Sequence, residues 1–255
     1  MERIDLVMVE KGLAESRSQA QRLVMAGQVR VNDQLIHKPS KKISPKDRIS
    51  VEGGPAFVSR GGDKLQAAID KFELGIQDRV CADVGSSTGG FSDCLLQNGA
   101  AKVYAIDVGR GQLHWKLRRD ARIILMEETN ARYIKALPET VDIIVVDVSF
   151  ISLNIILPVV ANWLSEQGHI VVLIKPQFEA GREHIGKGGV VRDPMVHRDV
   201  VAAVLALGPD LGLHTSGLIR SPLQGPKGNI EFLAWFSRQG PERKPDRLLA
   251  DIFNA

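Results

Sequence analysis

Four charged side chains and one glycine-rich run are the parts of this 255-residue chain whose types and spacing can do chemistry. The run Asp83-Val84-Gly85-Ser86-Ser87-Thr88-Gly89-Gly90-Phe91 follows a short apolar segment and opens a helical one. Glycines there let a ligand approach the backbone, and small side chains keep a pocket open. Asp107 ends the next apolar segment, 107 − 83 = 24 positions on, close to the spacing at which an acid reaches a ribose diol. An adenosine-like ligand follows from that pair of features. Lys64, Asp147, Lys175 and Glu231 stand near the ends of other segments. Two amines and two carboxylates can remove a proton from a hydroxyl and steady the charge that develops on its oxygen.

A dinucleotide-binding turn would want glycine at position 87 and a helix dipole facing a pyrophosphate. This chain has Ser87 there and an acid, Asp83, inside the turn. A carboxylate suits a cationic ligand better. S-adenosylmethionine carries a sulfonium and an ammonium, and the D-x-G-x-x-x-G spacing resembles methyltransferase motif I. Methyl transfer to a base carbon recruits a cysteine, and no Cys follows Cys94. Transfer to an exocyclic amine shows Asn/Asp-Pro-Pro-aromatic, where this chain reads Asp147-Val148-Ser149-Phe150. Both base chemistries are disfavoured, and the charged groups at the strand ends suit a hydroxyl acceptor. Taken singly, Lys64 also reads as a helix-end surface lysine, Glu231 as a partner of Lys227 or Arg220, and Asp147 as a turn acid.

The elements that must position these groups are legible as an alternation. Segments 80–84, 102–107, 122–126, 142–147 and 169–174 are short, apolar and rich in β-branched residues, as parallel strands buried on both faces should be. Helical periodicities cover 63–73, 90–98, 152–167 and 195–207. The expected architecture is α/β: a doubly wound, mostly parallel sheet with ligands at the carboxyl ends of its strands. Late strands around 213–219 and 230–236 lack a crossover helix and are expected to pair antiparallel, giving seven strands. Asp147 and Lys175 then emerge from neighbouring strands.

The formal charge of +3 is unevenly spread. Residues 1–48 hold 10 Lys/Arg against 6 Asp/Glu, a net +4. Positive potential therefore gathers at the front and favours a polyanion there, against the plainer reading of a solvated basic face. Within 3–11, Ile4, Leu6, Val7 and Met8 fall near one helical face, and Gly12 follows. Ser16 with Gln19 gives a capping-box spacing for a second helix, from which Arg17 and Arg22 point to solvent. Val29 and Val31, the turn Asn32-Asp33, and Ile49 and Val51 read as strands. The run GLAESRSQAQRLVMAGQVRVNDQLIHKPSKKI resembles the RNA-binding module of ribosomal small-subunit protein S-four. That resemblance implies contact with structured RNA through Arg3, Arg17, Arg22, Lys38, Lys41 and Lys42, with Arg60 beyond, mostly at phosphates.

Lys64, Asp147, Lys175 and Glu231, set in SRGGDKL, VVDVSFIS, LIKPQFE and GPKGNIEF, resemble the Lys-Asp-Lys-Glu tetrad of the FtsJ-like ribose 2′-O-methyltransferases. With the RNA module in front, residues 1–240 are similar to the TlyA family, often labelled hemolysin A, whose characterised members methylate ribosomal RNA. The resemblance implies a Rossmann-like methyltransferase fold with a small N-terminal α+β RNA-binding domain. It assigns S-adenosylmethionine to Asp83, Gly85, Ser86, Thr88, Gly89, Gly90, Phe91, Asp107, Asn130 and Asp147, and the ribose to the tetrad. The expected division is an RNA-binding domain over 1–53, a linker over 54–62, a methyltransferase domain over 63–240 and a mobile tail over 241–255.

Other features narrow the classes. Cys81 and Cys94 are too few for a disulfide framework or a zinc site and read as buried thiols. No segment is apolar enough to span a membrane, and MERIDLVMVEKGL has acids where a signal peptide needs an apolar run. The expected setting is cytoplasmic, with ribosomal RNA or subunits as partners, no metal, no membrane and no obligate protein partner. The rivals are a non-catalytic RNA-binding or ribosome-assembly protein, and a cytolysin. His114, Lys116, Arg118 and Arg119 form a basic patch that reads equally as a solvated face or an RNA contact. The segment Gly181–Arg192 reads as a flexible loop able to close over RNA.

Overall fold

The computed structural model describes residues 1–51 and 56–254. The Gly53-Gly54-Pro55 stretch, expected to lead through the linker, lies outside the described residues. The chain forms two compact units, Met1–Ala56 and Phe57–Ala255.

In the first unit the elements are β1 (Glu2–Arg3), α1 (Ile4–Glu10), α2 (Arg17–Met25), β2 (Val29–Val31), β3 (Gln34–Leu35), β4 (Lys42–Ile43) and β5 (Ile49–Val51). Ser16 caps α2, its side chain accepting from the Gln19 N–H, while Gln19 accepts from the backbone of Glu15. Asn32 and Asp33 adopt φ of 48° and 67°, the consecutive left-handed pair that a tight β2–β3 hairpin requires. β5 pairs on the other side of β2, and β1 pairs with β4. Ile4, Met8, Ala20, Val24 and Val29 are fully buried between the helices and the hairpin. One expected core position is overturned: Leu6 is exposed, and Asp5 is buried in the wall of this unit instead. Its carboxylate accepts from Arg3, Arg17 and Gln21, which repays the loss of hydration.

The second unit runs α3 (Gly61–Phe72), β6 (Val80–Val84), α4 (Gly90–Gln97), β7 (Lys102–Ile106), α5 (Trp115–Arg118), β8 (Ile123–Met126), β9 (Val141–Val146) and α6 (Leu153–Ala161). It continues with β10 (Leu164–Ile174), α7 (Pro176–Glu179), α8 (Pro194–Leu205), α9 (Leu207–Asp210), β11 (His214–Arg220), β12 (Phe232–Ser237) and α10 (Pro245–Phe253). The seven strands stand in the order β11-β12-β10-β9-β6-β7-β8. β6 to β10 are mutually parallel, and β12 runs antiparallel to both β10 and β11. Along β10, Ile170, Val172 and Ile174 enter one core while Val171 and Leu173 enter the other, so side-chain alternation buries both sheet faces.

Three expectations are corrected. The helix expected over 152–167 ends at Ala161, because the apolar run continues past a turn into β10. Gly61 and Gly62 do not belong to a linker but open α3, where a Cβ on Gly62 would lie 2.2 Å from the ring of Phe57, itself buried in the core. The tail expected to be mobile carries α10, which packs on α8 and β11 with Leu248 and Leu249 buried. Cys81 and Cys94 are free and buried, and burial pushes the Cys81 thiol up to about 12. Among the described residues no helix is long and apolar enough to cross a membrane, and no group of three or more His, Cys, Asp and Glu is disposed to hold a metal ion.

Candidate active site

Sheet register brings the scattered charges to one edge. Val84 pairs with Val146 across β6 and β9, so Gly85 and Asp147 leave the sheet side by side, joined by the Asp147 N–H donating to the Val84 carbonyl at 2.9 Å. Ile174 pairs with Phe232 across β10 and β12, so Lys175, just after one, and Glu231, just before the other, emerge at the same end. Lys64 reaches that end from the first turn of α3.

The result is two ion pairs facing one cavity of about 640 Å³. Lys64 Nζ lies 2.5 Å from Glu231 Oε2, with Glu231 fully buried and Lys64 nearly so. Lys175 Nζ lies 2.6 Å from Asp147 Oδ1 and donates to Ser149 Oγ at 3.0 Å. The Lys175–Asp147 contact is close but poorly aligned, so Asp147 Oδ1 has no well-directed donor, and Glu231 Oε1 has none either. Asp147 Oδ1 is already engaged by the Lys175 ammonium, whereas Glu231 Oε1 is buried without a donor and is primed to accept from a ligand.

The glycine-rich turn forms the adjoining wall. Ser86, Thr88, Gly90 and Phe91 line the cavity with Gly85, as does Arg60 from the entry to α3. Gly85 has φ +88°, and a Cβ there would lie 2.5 Å from the Asp147 carbonyl oxygen, so the chain's own backbone demands glycine. Gly89 has φ +94° and sits against Leu113 and Leu117 rather than on the cavity wall. Ser87, at φ +47°, holds a left-handed conformation that costs a non-glycine residue energy, and its N–H donates to Asp107 Oδ2 at 2.8 Å. Asp107 Oδ1 accepts from the Gly109 N–H at 2.7 Å. Each Asp107 oxygen keeps further acceptor capacity toward a second hollow of about 340 Å³ that it lines with Gly85, Thr129 and Ala131.

Besides Gly89, two residues assigned to the cofactor stand elsewhere. Asp83 is completely buried behind the turn, lining neither hollow; its Oδ2 accepts from Ser92 at 2.6 Å and its Oδ1 has no donor. Burial, with Asp147 and Asp107 nearby, pushes its carboxyl up to about 7, against the opposing Ser92 hydrogen bond. Asn130 caps the turn at Ala131–Tyr133, its side chain accepting from the Arg132 N–H, and faces a neighbouring depression.

Sequence reasoning missed Ser149, Gln177, Phe150 and Phe178 on the cavity wall. Gln177 carries a buried oxygen without a donor. Phe150 is 89% exposed at φ +62°, its ring 4.8 Å from that of Phe178. An exposed aromatic in a strained conformation is the signature of a group held out for a ligand. The proximity of Ser149 to Asp147 and of Gln177 to Lys175 in sequence was the one signal that pointed to them. The loop over 181–192 is held rather than free: Asn229 Nδ2 donates to the Gly189 carbonyl, Asn229 Oδ1 accepts from the Val191 N–H, and Lys227 donates to the Gly188 carbonyl.

In the first unit, Arg3 pairs with Lys42 across the β1–β4 ladder, and the Ile4 N–H donates to the Lys41 carbonyl. Like charges opposite one another are unfavourable without a counter-charge. Asp5 supplies part of one, taking two bonds from Arg3 at 2.9 Å and one from Arg17 at 3.0 Å. Those bonds hold the Asp5 carboxyl well below the usual carboxylate range. Arg22, Lys38, Lys41 and Lys42 are exposed.

The FtsJ-like methyltransferase family matches residues 57–238, and the S4 domain matches residues 2–49. Over 239 residues the chain is 49% identical to YqxC of Bacillus subtilis, provisionally described as an rRNA methyltransferase, covering 91% of this chain and 84% of that one. It is 44% identical over 241 residues to the 16S/23S rRNA (cytidine-2′-O)-methyltransferase TlyA of Mycobacterium tuberculosis, covering 93% and 90%. A solved structure from Streptococcus thermophilus with a provisional hemolysin description superposes with a TM-score of 0.73 at 44% identity, covering 98% of this chain and 94% of that one. The chain therefore belongs to the TlyA, or hemolysin A, family of FtsJ-like methyltransferases with a fused S4 domain.

Proposed function

We propose that the chain transfers a methyl group from S-adenosylmethionine to a ribose 2′-hydroxyl of ribosomal RNA, in the cytoplasm where ribosomal subunits are made. The observation that carries this reading is the pairing of Lys64 with Glu231 and of Lys175 with Asp147 on one cavity beside the glycine-rich turn. S-adenosylmethionine fits the residues present: Gly85, Ser86 and Thr88 line the cavity with small side chains, Asp107 offers acceptor capacity for a diol, and Asp147 adds a carboxylate to the same wall. When bound it supplies a methyl group made electrophilic by a sulfonium.

The chain's own residues do the rest. Gly85, Ser86, Thr88 and Gly90 shape the cradle, and Asp107 takes the sugar hydroxyls. Asp83, lining neither hollow, braces the turn from behind through its hydrogen bond from Ser92. Lys175, held between Asp147 and Ser149, is the amine that meets the acceptor hydroxyl. It serves either as the base, accepting the proton when neutral, or as an ammonium that holds the developing oxygen charge. The Lys64–Glu231 pair fixes the opposite side of the cavity, with Glu231 Oε1 free to accept from a ribose hydroxyl. Exposed Arg22, Lys38, Lys41 and Lys42, with the Arg3–Arg17 pair, would bind RNA phosphates from the first unit.

The test is incubation of the full chain with methyl-labelled S-adenosylmethionine and separate ribosomal subunits, followed by nucleoside analysis of the RNA. Label in a 2′-O-methylnucleoside is expected. Label in base-methylated nucleosides only, or none in any subunit, would overturn the reading.

A further inference from the structure

The short helix α5 carries the most exposed of the three tryptophans. Trp115 is 56% exposed, whereas Trp163 and Trp235 are buried at 2% and 9%. Leu113 and Leu117, both buried, pin this segment under the glycine-rich turn, since a Cβ on Gly89 would collide with either. Two positions from Leu117, Trp115 lies on the opposite side of the helix, where the core cannot use it. Its ring is bracketed: the Arg119 guanidinium lies 5.4 Å over it, and the His114 ring is 5.7 Å away. Residues 108–119 contain Arg110, Lys116, Arg118 and Arg119; Glu128 pairs with Arg110, Glu127 with Arg118 and Asp93 with Lys116, whose side chain stays 57% exposed, while Arg119 lies over the indole. The patch also adjoins the site, because the His114 N–H donates to the carbonyl of Thr88, a cavity-wall residue.

An exposed aromatic flanked by cations and touching no core is the arrangement that binds a nucleobase by stacking and its phosphates by charge. We infer that Trp115 is a stacking platform for one unpaired base of the RNA, with Arg119 and Lys116 engaging the adjoining phosphates. This rests on the proposed RNA substrate and adds to it: the RNA must present a single-stranded nucleotide beside the target ribose. Duplex RNA has no free base face to offer.

Fluorescence of the full chain reads the platform directly, since Trp115 is the indole open to solvent. Titration with a single-stranded 12-nucleotide oligouridylate is expected to quench emission, while a blunt duplex of equal phosphate content leaves it unchanged. Trp115→Ala is expected to weaken oligonucleotide binding about tenfold, and Trp115→Phe to keep it within about twofold. With ribosomal subunits and labelled S-adenosylmethionine, Trp115→Ala is expected to raise KM for RNA at unchanged kcat. Equal quenching by the duplex, or unaltered oligonucleotide affinity and KM in Trp115→Ala, would overturn the platform. Methyl transfer with wild-type KM in that variant removes the platform but leaves the activity; quenching without methyl transfer to any RNA removes the activity but leaves the platform.

Discussion

Lys64 and Glu231 stand 167 positions apart, yet the amine donates to the carboxylate at 2.5 Å in the wall of the cavity. Gly225 allows it, because a Cβ there would come within 2.0 Å of Glu231 Oε1. A buried carboxylate deprived of its amine is expensive. Lys64→Ala is expected to cost about 3–5 kcal/mol of stability and to end methyl transfer. The double change Lys64→Met with Glu231→Leu is expected to restore most of the stability and none of the activity. Urea denaturation of the three proteins checks the stabilities, and methyl transfer to ribosomal subunits checks the activities.

Lys175 makes a different prediction, since its partner Asp147 keeps 24% of its side chain exposed where Glu231 has none, and Lys175 also donates to Ser149. Lys175→Ala is expected to lower kcat by about 10²- to 10⁴-fold while leaving S-adenosylmethionine affinity within about threefold. A rate that rises with pH in the wild type marks the base role. A rate flat with pH, together with partial rescue by Lys175→Arg, marks the charge-holding role.

Much of this arrangement was readable because it is carried by local pattern. The β-branched runs at 80–84, 102–106 and 142–146 can bury both faces only in a parallel sheet, and neighbouring strands then force Asp147 toward Lys175. The failures share a cause in non-local contacts. Asp5 is buried only because Arg3, Arg17 and Gln21 come to meet it, and that displaced Leu6 from the expected core. α10 sets Leu248, Leu249, Ile252 and Phe253 at helical spacing, but in a helix of nine residues that pattern has no meaning until α8 and β11 supply the surface it covers. The end of α6 is hidden because Trp163 and Leu164 continue its apolar run into β10. Phe150 drew no attention, since nothing in its neighbours announces a left-handed backbone at 89% exposure.

Asp5 also makes a testable link between the order of the first unit and its binding. Two guanidiniums are aimed by one carboxylate, beside Lys41 and Lys42. Asp5→Ala raises the net charge by one, which on charge alone would strengthen RNA binding. The expected outcome is the reverse. Without the fixed orientation of Arg3 and Arg17, binding to ribosomal RNA fragments is expected to weaken about fivefold. The salt dependence becomes shallower too, its slope falling by about one for every phosphate that the variant no longer engages. Filter binding across a salt series decides between the two outcomes.

Asp83 gives the pH dependence its sign. In the folded chain its carboxyl keeps a proton up to about 7, because burial and the nearby Asp147 and Asp107 disfavour the anion; unfolded, it releases the proton near 3.8. Between those values the folded state binds more protons, so stability falls as pH rises. The contribution is fully present below pH 3.8 and gone above about pH 7, at most about 4 kcal/mol across the window. His169 and His197, both lowered by burial, act oppositely and lose stability as pH falls. Comparison with Asp83→Asn removes their effect, since both histidines are common to the two proteins. The difference in urea midpoint between wild type and Asp83→Asn is therefore expected to move steadily in favour of the variant from about pH 4 to about pH 7. A difference that stays constant over that range would mean that Asp83 is already ionised in the ligand-free fold.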